Sequence, residues 1–216
     1  MKKVLQNPAV SAAFLAVAFL LIYNPVTKMP YTFLIIILII LFSSFLISGN
    51  VRELNFKKIG IKEIRIIIFY FLLFELSVDF VFQPLVNKIF NEPSDYSYFA
   101  KLEGNTPAYF KMLWKMWLSA AIGEELLFRS FAFARLNSIT KNAPLKILIT
   151  SILFCIPHFY QGWPGLVLTF IWGLLFGYLY NRYKNIWINI IVHGLIDSLF
   201  LTVIYFGYSG LYNFQW

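Results

Sequence analysis

The run YTFLIIILIILFSSFLIS, from Tyr31 to Ser48, carries no charged side chain. It has about the length a helix needs to cross the hydrocarbon of a bilayer, roughly 20 residues. Inside lipid every backbone N–H and C=O must be satisfied within the structure, which leaves only helices or a closed barrel. Barrel strands alternate apolar and polar residues, whereas this run is continuously apolar, so the pattern predicts a helix. Composition agrees: hydrophobic residues make up 60% of the 216 and charged residues only 13%, too few to cover a water-soluble domain of this size. The expected fold class is all-α, an integral membrane helical bundle, multi-pass in the plasma membrane, with the bilayer as its principal partner.

About seven spans are expected, at roughly Pro8–Tyr23, Tyr31–Ser48, Ile64–Phe82, Ala108–Ala134, Leu145–Tyr160, Pro164–Tyr180 and Ile186–Phe206. The first follows Lys2 and Lys3, as a signal peptide would, but ends in LLIYNPV without a small-x-small cleavage pattern, and is read as a retained helix. Threading these spans from a cytoplasmic N-terminus puts Arg52, Lys57, Lys58, Lys62, Arg65, Arg135, Lys141, Lys146, Arg182 and Lys184 inside with Lys2 and Lys3. It leaves Lys28, Lys88 and Lys101 in outer loops. This asymmetry predicts an N-in orientation, and it assigns the net charge of +8 to membrane topology and not to nucleic acid. VRELNFKKIGIKEIR, Val51 to Arg65, reads equally as an interfacial amphipathic helix or as a basic loop. The single cysteine, Cys155, excludes an internal disulfide framework. The chain divides into N-terminal helices with a polar loop (1–107), a core (108–206) and a short tail (207–216).

Within these spans lie Glu75, Asp79, Glu124, Glu125 and Asp197, half of the ten acidic residues, and both histidines, His158 and His193. A carboxylate at mid-bilayer costs several kcal/mol unless paired or hydrated, so this concentration predicts a shared polar cavity. On ideal helices Glu124 lies ~16 Å in from Arg135, His158 ~20 Å from Leu145 and His193 ~12 Å from Asn185, a depth that suggests access from the basic, cytoplasmic end. Glu125 and Arg129 stand at i,i+4 and can pair. Asn189, His193 and Asp197 make one stripe, and Phe154 and His158 share a face. GLLFG, Gly173 to Gly177, is a small-xxx-small seam for close helix approach. Glu75 and Asp79 stand at i,i+4 without an obvious partner, and either line the cavity or face the outer interface.

Three motifs now stand in order on separate expected helices: EELLFR (Glu124, Glu125, Arg129), FCIPH (Phe154, His158) and HGLID (His193, Asp197). The set resembles that of the CAAX prenyl protease and bacteriocin-processing family, intramembrane endopeptidases of the type II CAAX group. Their motifs are Glu-Glu-x-x-x-Arg, Phe-x-x-x-His and His-x-x-x-Asn/Asp. The resemblance spans Glu124 to Asp197 and leaves residues 1 to about 107 without a motif. It implies that Glu124 is a general base with His158 as its partner in activating water. It further implies that His193 and Asp197 stabilise the oxyanion, and that Glu125 and Arg129, with Phe154, brace the site. The implied substrate is a membrane-associated peptide or protein, cut near its C-terminus.

A desolvated carboxyl is a stronger base near neutral pH, and an imidazole N–H can donate to a developing oxyanion. Asp197 is the awkward member: an ionised carboxylate repels an oxyanion, so it is either protonated or holds His193 positive. A zinc reading uses Glu124, His158 and His193, with Asp197, as ligands; the lack of an H-E-x-x-H helix favours the metal-free version. Two other functions share these residues: a non-catalytic membrane protein for bacteriocin self-immunity, and a small proton-coupled transporter. The intact motif set argues against the first, and the lack of inverted repeats against the second.

Overall fold

The computed structural model describes residues 7–215; Lys2 and Lys3, the start of the basic pattern, lie outside the described residues. All regular structure among the described residues is helical. Helices α1 (Pro8–Leu20) and α2 (Tyr31–Ser48) are followed by α3 (Ile61–Ser77), which runs through a π-helical turn (Val78–Phe82) into α4 (Gln83–Phe90). Next, α5 (Thr106–Met116) passes into a π-helix (Trp117–Phe131) and ends as α6 (Ala132–Leu136). Then come α7 (Ala143–Cys155), a 3-10 turn (Ile156–Gln161), α8 (Gly162–Tyr183) and α9 (Ile186–Tyr205).

Local chemistry sets the starts. Asn7, Asn105, Asn142 and Asn185 each accept a hydrogen bond from a first-turn backbone N–H, of Ala9, Ala108, Leu145 and Trp187, at 2.8, 3.2, 3.0 and 3.3 Å. An asparagine cap satisfies one of the donors that a helix start leaves orphaned. Pro8, Pro107 and Pro144 fill first-turn positions, where no N–H is needed.

By length and composition, Tyr31–Ser48, Ala143–Tyr183 and Ile186–Tyr205 are each able to cross a membrane, and Pro8–Tyr23 is a shorter apolar helix. The stretch Ala143–Tyr183 is two helices folded back on one another. A Cβ at Gly173 would lie 2.9 Å from Ser151 Cα, and one at Gly177 3.0 Å from Ile147 Cγ2. The partner numbers fall as the glycine numbers rise, so α7 and α8 are antiparallel along the GLLFG seam. On α2, Ile36, Ile40 and Ile47 are buried while Leu38, Phe42 and Phe45 are exposed. An apolar face left outward on a helix this hydrophobic suits lipid contact. The inward face gains from packing, because lipid tails are as apolar as leucine.

One open alternative is resolved and one expectation changes. Of the two readings of Val51 to Arg65, the basic loop holds for its first part: a 3-10 turn (Arg52–Leu54) leads into extended chain, and α3 starts at Ile61. The segment is pinned instead of floating on the membrane surface. Arg135 pairs with Glu53, the Ile186 N–H donates to the Asn55 carbonyl at 3.1 Å, and the Asn185 amide donates to the Lys58 carbonyl at 3.3 Å. Second, the expected fourth span is wound as a π-helix through the EELLFR motif. Its i→i+5 hydrogen bonds put more residues in each turn, so Glu124 lies less deep than the ideal-helix ~16 Å.

Candidate active site

The π-helix is the most enclosed part of the molecule: every residue from Gly123 to Phe133 is buried. A side chain at Gly123 would drive into the Phe33 ring of α2, so glycine at this position lets α2 close over the motif. The two adjacent carboxylates therefore sit at the centre of the bundle, away from its lipid-facing surface.

Glu125, with no exposed surface, is the hub. Its Oε2 lies 3.4 Å from Arg129 Nε and accepts a hydrogen bond from Asn189 Nδ2 at 3.0 Å; its Oε1 is 3.0 Å from His193 Nδ1. An ionised carboxylate only accepts, so His193 Nδ1 carries the proton. Asn189 also donates to the Phe176 carbonyl at 2.9 Å, and Arg129 Nη2 lies 3.5 Å from the Gly173 carbonyl. Polar groups of α9 and the π-helix thus meet on one carboxylate, as buried charges require, and two carbonyls of α8 hold Asn189 and Arg129 behind it.

Aromatic rings fix the remaining orientations. The Arg129 guanidinium lies 4.2 Å from the centroid of Phe154 and 5.4 Å from that of Phe176. Phe176 stacks on His193 with centroids 4.7 Å apart and planes 25° from parallel. His158 stands on the 3-10 turn after α7, where its Nδ1 is 3.0 Å from the Phe154 carbonyl. A carbonyl cannot donate, so Nδ1 bears the hydrogen and a neutral ring presents Nε2 as a free base. Phe154 thus has two uses: its ring supports Arg129 and its carbonyl sets the His158 tautomer.

Glu124, His158, His193 and Asp197 all line one chamber of about 520 Å³. His193 Nε2 faces Asp197 Oδ2 at 3.7 Å, and that oxygen is buried without a hydrogen-bond partner among the described residues. Glu75 and Asp79 also line the chamber, which settles their position: they face inward, not toward the outer interface. Tyr96, in the loop before α5, lines it as well, and burial pushes its phenol up to about 12, so it is a neutral hydroxyl at pH 7. Sequence depth had suggested access from the basic end. The chamber instead extends to Tyr96, Phe99, Tyr160 and Tyr212, at the end away from the Asn142 and Asn185 caps. Ideal-helix depths missed this because His158 sits on a turn and the loops fold back over the bundle.

For zinc, the donors do not gather: among the described residues, no group of three or more His, Cys, Asp or Glu side chains stands where it could hold a metal ion. His193 Nδ1 is already taken by Glu125 and His158 Nδ1 by a carbonyl. The sequence left Asn189 and Phe176 out of the site. Asn189 was visible in the stripe with His193, but nothing in one sequence marks its contact with Glu125. Phe176 was hidden in an apolar run, where one phenylalanine reads like any other.

Fold and site together define a helical membrane protein with a chamber lined by carboxyl and imidazole groups. Residues 106–199 match the family described as Type II CAAX prenyl endopeptidase Rce1-like. The match contains all three motifs and supports membership of the CAAX protease and bacteriocin-processing family, whose members are membrane-embedded proteases. No curated protein and no solved structure matches the chain.

Proposed function

We propose that this chain is an intramembrane endopeptidase that hydrolyses a peptide bond near the C-terminus of a membrane-associated peptide or protein. The observation that carries this reading is the shared chamber of Glu124, His158, His193 and Asp197, beside a hub that holds His193 in one orientation. Glu124 and His158 Nε2 hold a water, and Glu124 takes its proton as the oxygen attacks the substrate carbonyl carbon. The developing oxyanion is met by His193 Nε2–H, with Asp197 opposite orienting that imidazole. Glu124 then returns its proton to the departing amine as the C–N bond breaks. Each step uses side chains of this chain alone.

The proposal includes about seven crossings, with the basic end in the cytoplasm of a plasma-membrane protein. The chamber then extends toward the opposite half of the bilayer. The deciding experiment is proteolysis in liposomes against a panel of membrane peptides, comparing wild type with Glu124→Ala. Cleavage by the wild type and none by the variant is expected; equal cleavage overturns the assignment.

A further inference from the structure

The catalytic proposal leaves Glu75 and Asp79 without a task. Glu75 is 7% exposed and makes no hydrogen bond or ion pair with any described residue, yet it lines the chamber. Asp79 follows at i,i+4 and Gln83 one turn later, so the polar stripe of α3 continues through the π-helical turn into α4 with all three residues on the chamber wall. Glu124 and Asp197 line the same space. Four carboxylates therefore face one enclosure, and no lysine or arginine is among its described lining residues. Arg129, buried beside the site, is already engaged by Glu125.

A buried carboxyl left unpaired is costly, so an arrangement that leaves Glu75 unpaired calls for a partner that arrives from outside. The rest of the wall tells which kind. Five aromatic residues, Tyr96, Tyr160, Trp172, Phe200 and Tyr212, line the same space. Aromatic faces beside carboxylates attract organic cations, which combine charge with an apolar stem. The described acidic and histidine side chains are not gathered for a metal ion.

We propose that Glu75 and Asp79 form a subsite that receives a lysine or arginine side chain of the peptide being cleaved. The inference rests on the peptidase reading and names the substrate chemistry of that same chamber. The cationic head sits between the α3 carboxylates and the aromatic wall, and the neighbouring peptide bond is delivered to Glu124 and His158. Selectivity follows because a neutral side chain leaves the carboxyls without a counter-charge.

The test uses the full chain in liposomes of zwitterionic lipid, so that peptide charge does not change membrane partition. Two reporter peptides differ only by lysine or norleucine at one position, scanned along the substrate. At one position the wild type should favour lysine in kcat/KM by about 10–100-fold. Glu75→Gln should cut that ratio roughly tenfold, and Asp79→Asn should cut it in the same direction. The ratio is read within one preparation, so partial loss of folded protein cancels. A wild-type ratio near one at every position, with cleavage abolished by Glu124→Gln, overturns the cationic subsite and leaves the peptidase reading intact. A preference that Glu75→Gln leaves unchanged also overturns it, as does one erased by millimolar calcium, which would mark an inorganic-cation site. Cleavage that survives Glu124→Gln removes the peptidase reading and the subsite together.

Discussion

His193 Nδ1 lies 3.0 Å from Glu125 Oε1, across 68 positions of sequence. The contact makes the second glutamate of the first motif the support of the third motif's histidine. Glu124 and Glu125 therefore have unlike surroundings: Glu125 is ringed by Arg129, Asn189 and His193, whereas Glu124 makes no hydrogen bond with a described residue and lines the chamber. Adjacent identical side chains are thus divided between a buried network and the chamber wall.

Removing the cation should therefore damage the structure before the chemistry. Arg129→Ala leaves Glu125 buried without its ion-pair partner, an error of about 3–5 kcal/mol. A lower melting temperature in detergent is expected together with lost cleavage. An unchanged melting temperature would show that Glu125 is held well enough by Asn189 and His193.

Glu124→Gln should do the opposite. It keeps the shape and removes the base, so cleavage should fall ~10²-fold or more while the melting temperature holds. Because the proposed steps use side chains only, wild-type cleavage should also survive a strong chelator. Loss of activity on chelation, restored by zinc, would replace this mechanism with a metal-dependent one.

Asp197→Asn should retain cleavage. A neutral amide facing His193 Nε2 can still orient the ring and can itself donate to an oxyanion. If this variant is inactive while Glu124→Gln is active, the roles of the two carboxyls are reversed.

Asn189→Leu tests a contact that the motifs do not contain. It strips Glu125 Oε2 of one hydrogen bond and leaves the Phe176 carbonyl without its donor. Stability should drop by about 1–3 kcal/mol, and cleavage should fall because His193 loses its fixed support. Wild-type behaviour in both measurements would reduce Asn189 to a bystander.

Orientation can be read by cysteine accessibility. In a Cys155→Ser background, single cysteines at Lys57 and Glu92 should label from opposite sides of the membrane, Lys57 from the cytoplasm. Labelling of both from one side contradicts the seven-span arrangement.

The helical class and the meeting of the three motifs were legible because apolar runs and buried charges are properties of composition and spacing. Glu125–Arg129 was legible as an i,i+4 pair. Three things were not. The π winding through Trp117–Phe131 changes hydrogen bonding without changing the apolar pattern. The turn that carries His158 looked like a continued helix, because Ile156–Gln161 reads as a hydrophobic segment. The direction of the chamber depends on loops around Tyr96 and Tyr212, whose packing no local pattern encodes.

The order of the hub's members along the chain has a consequence for biogenesis. Glu125 and Arg129 leave the ribosome before Asn189 and His193 exist. In the proposed seven-crossing arrangement, the helix that bears them enters the bilayer with both of these charges, each penalised by about 2.5–3.5 kcal/mol if placed singly at its centre. Their i,i+4 spacing lets the helix bring its own counter-ion and present a neutral pair to the translocon. It then waits for α9 to arrive and complete the network.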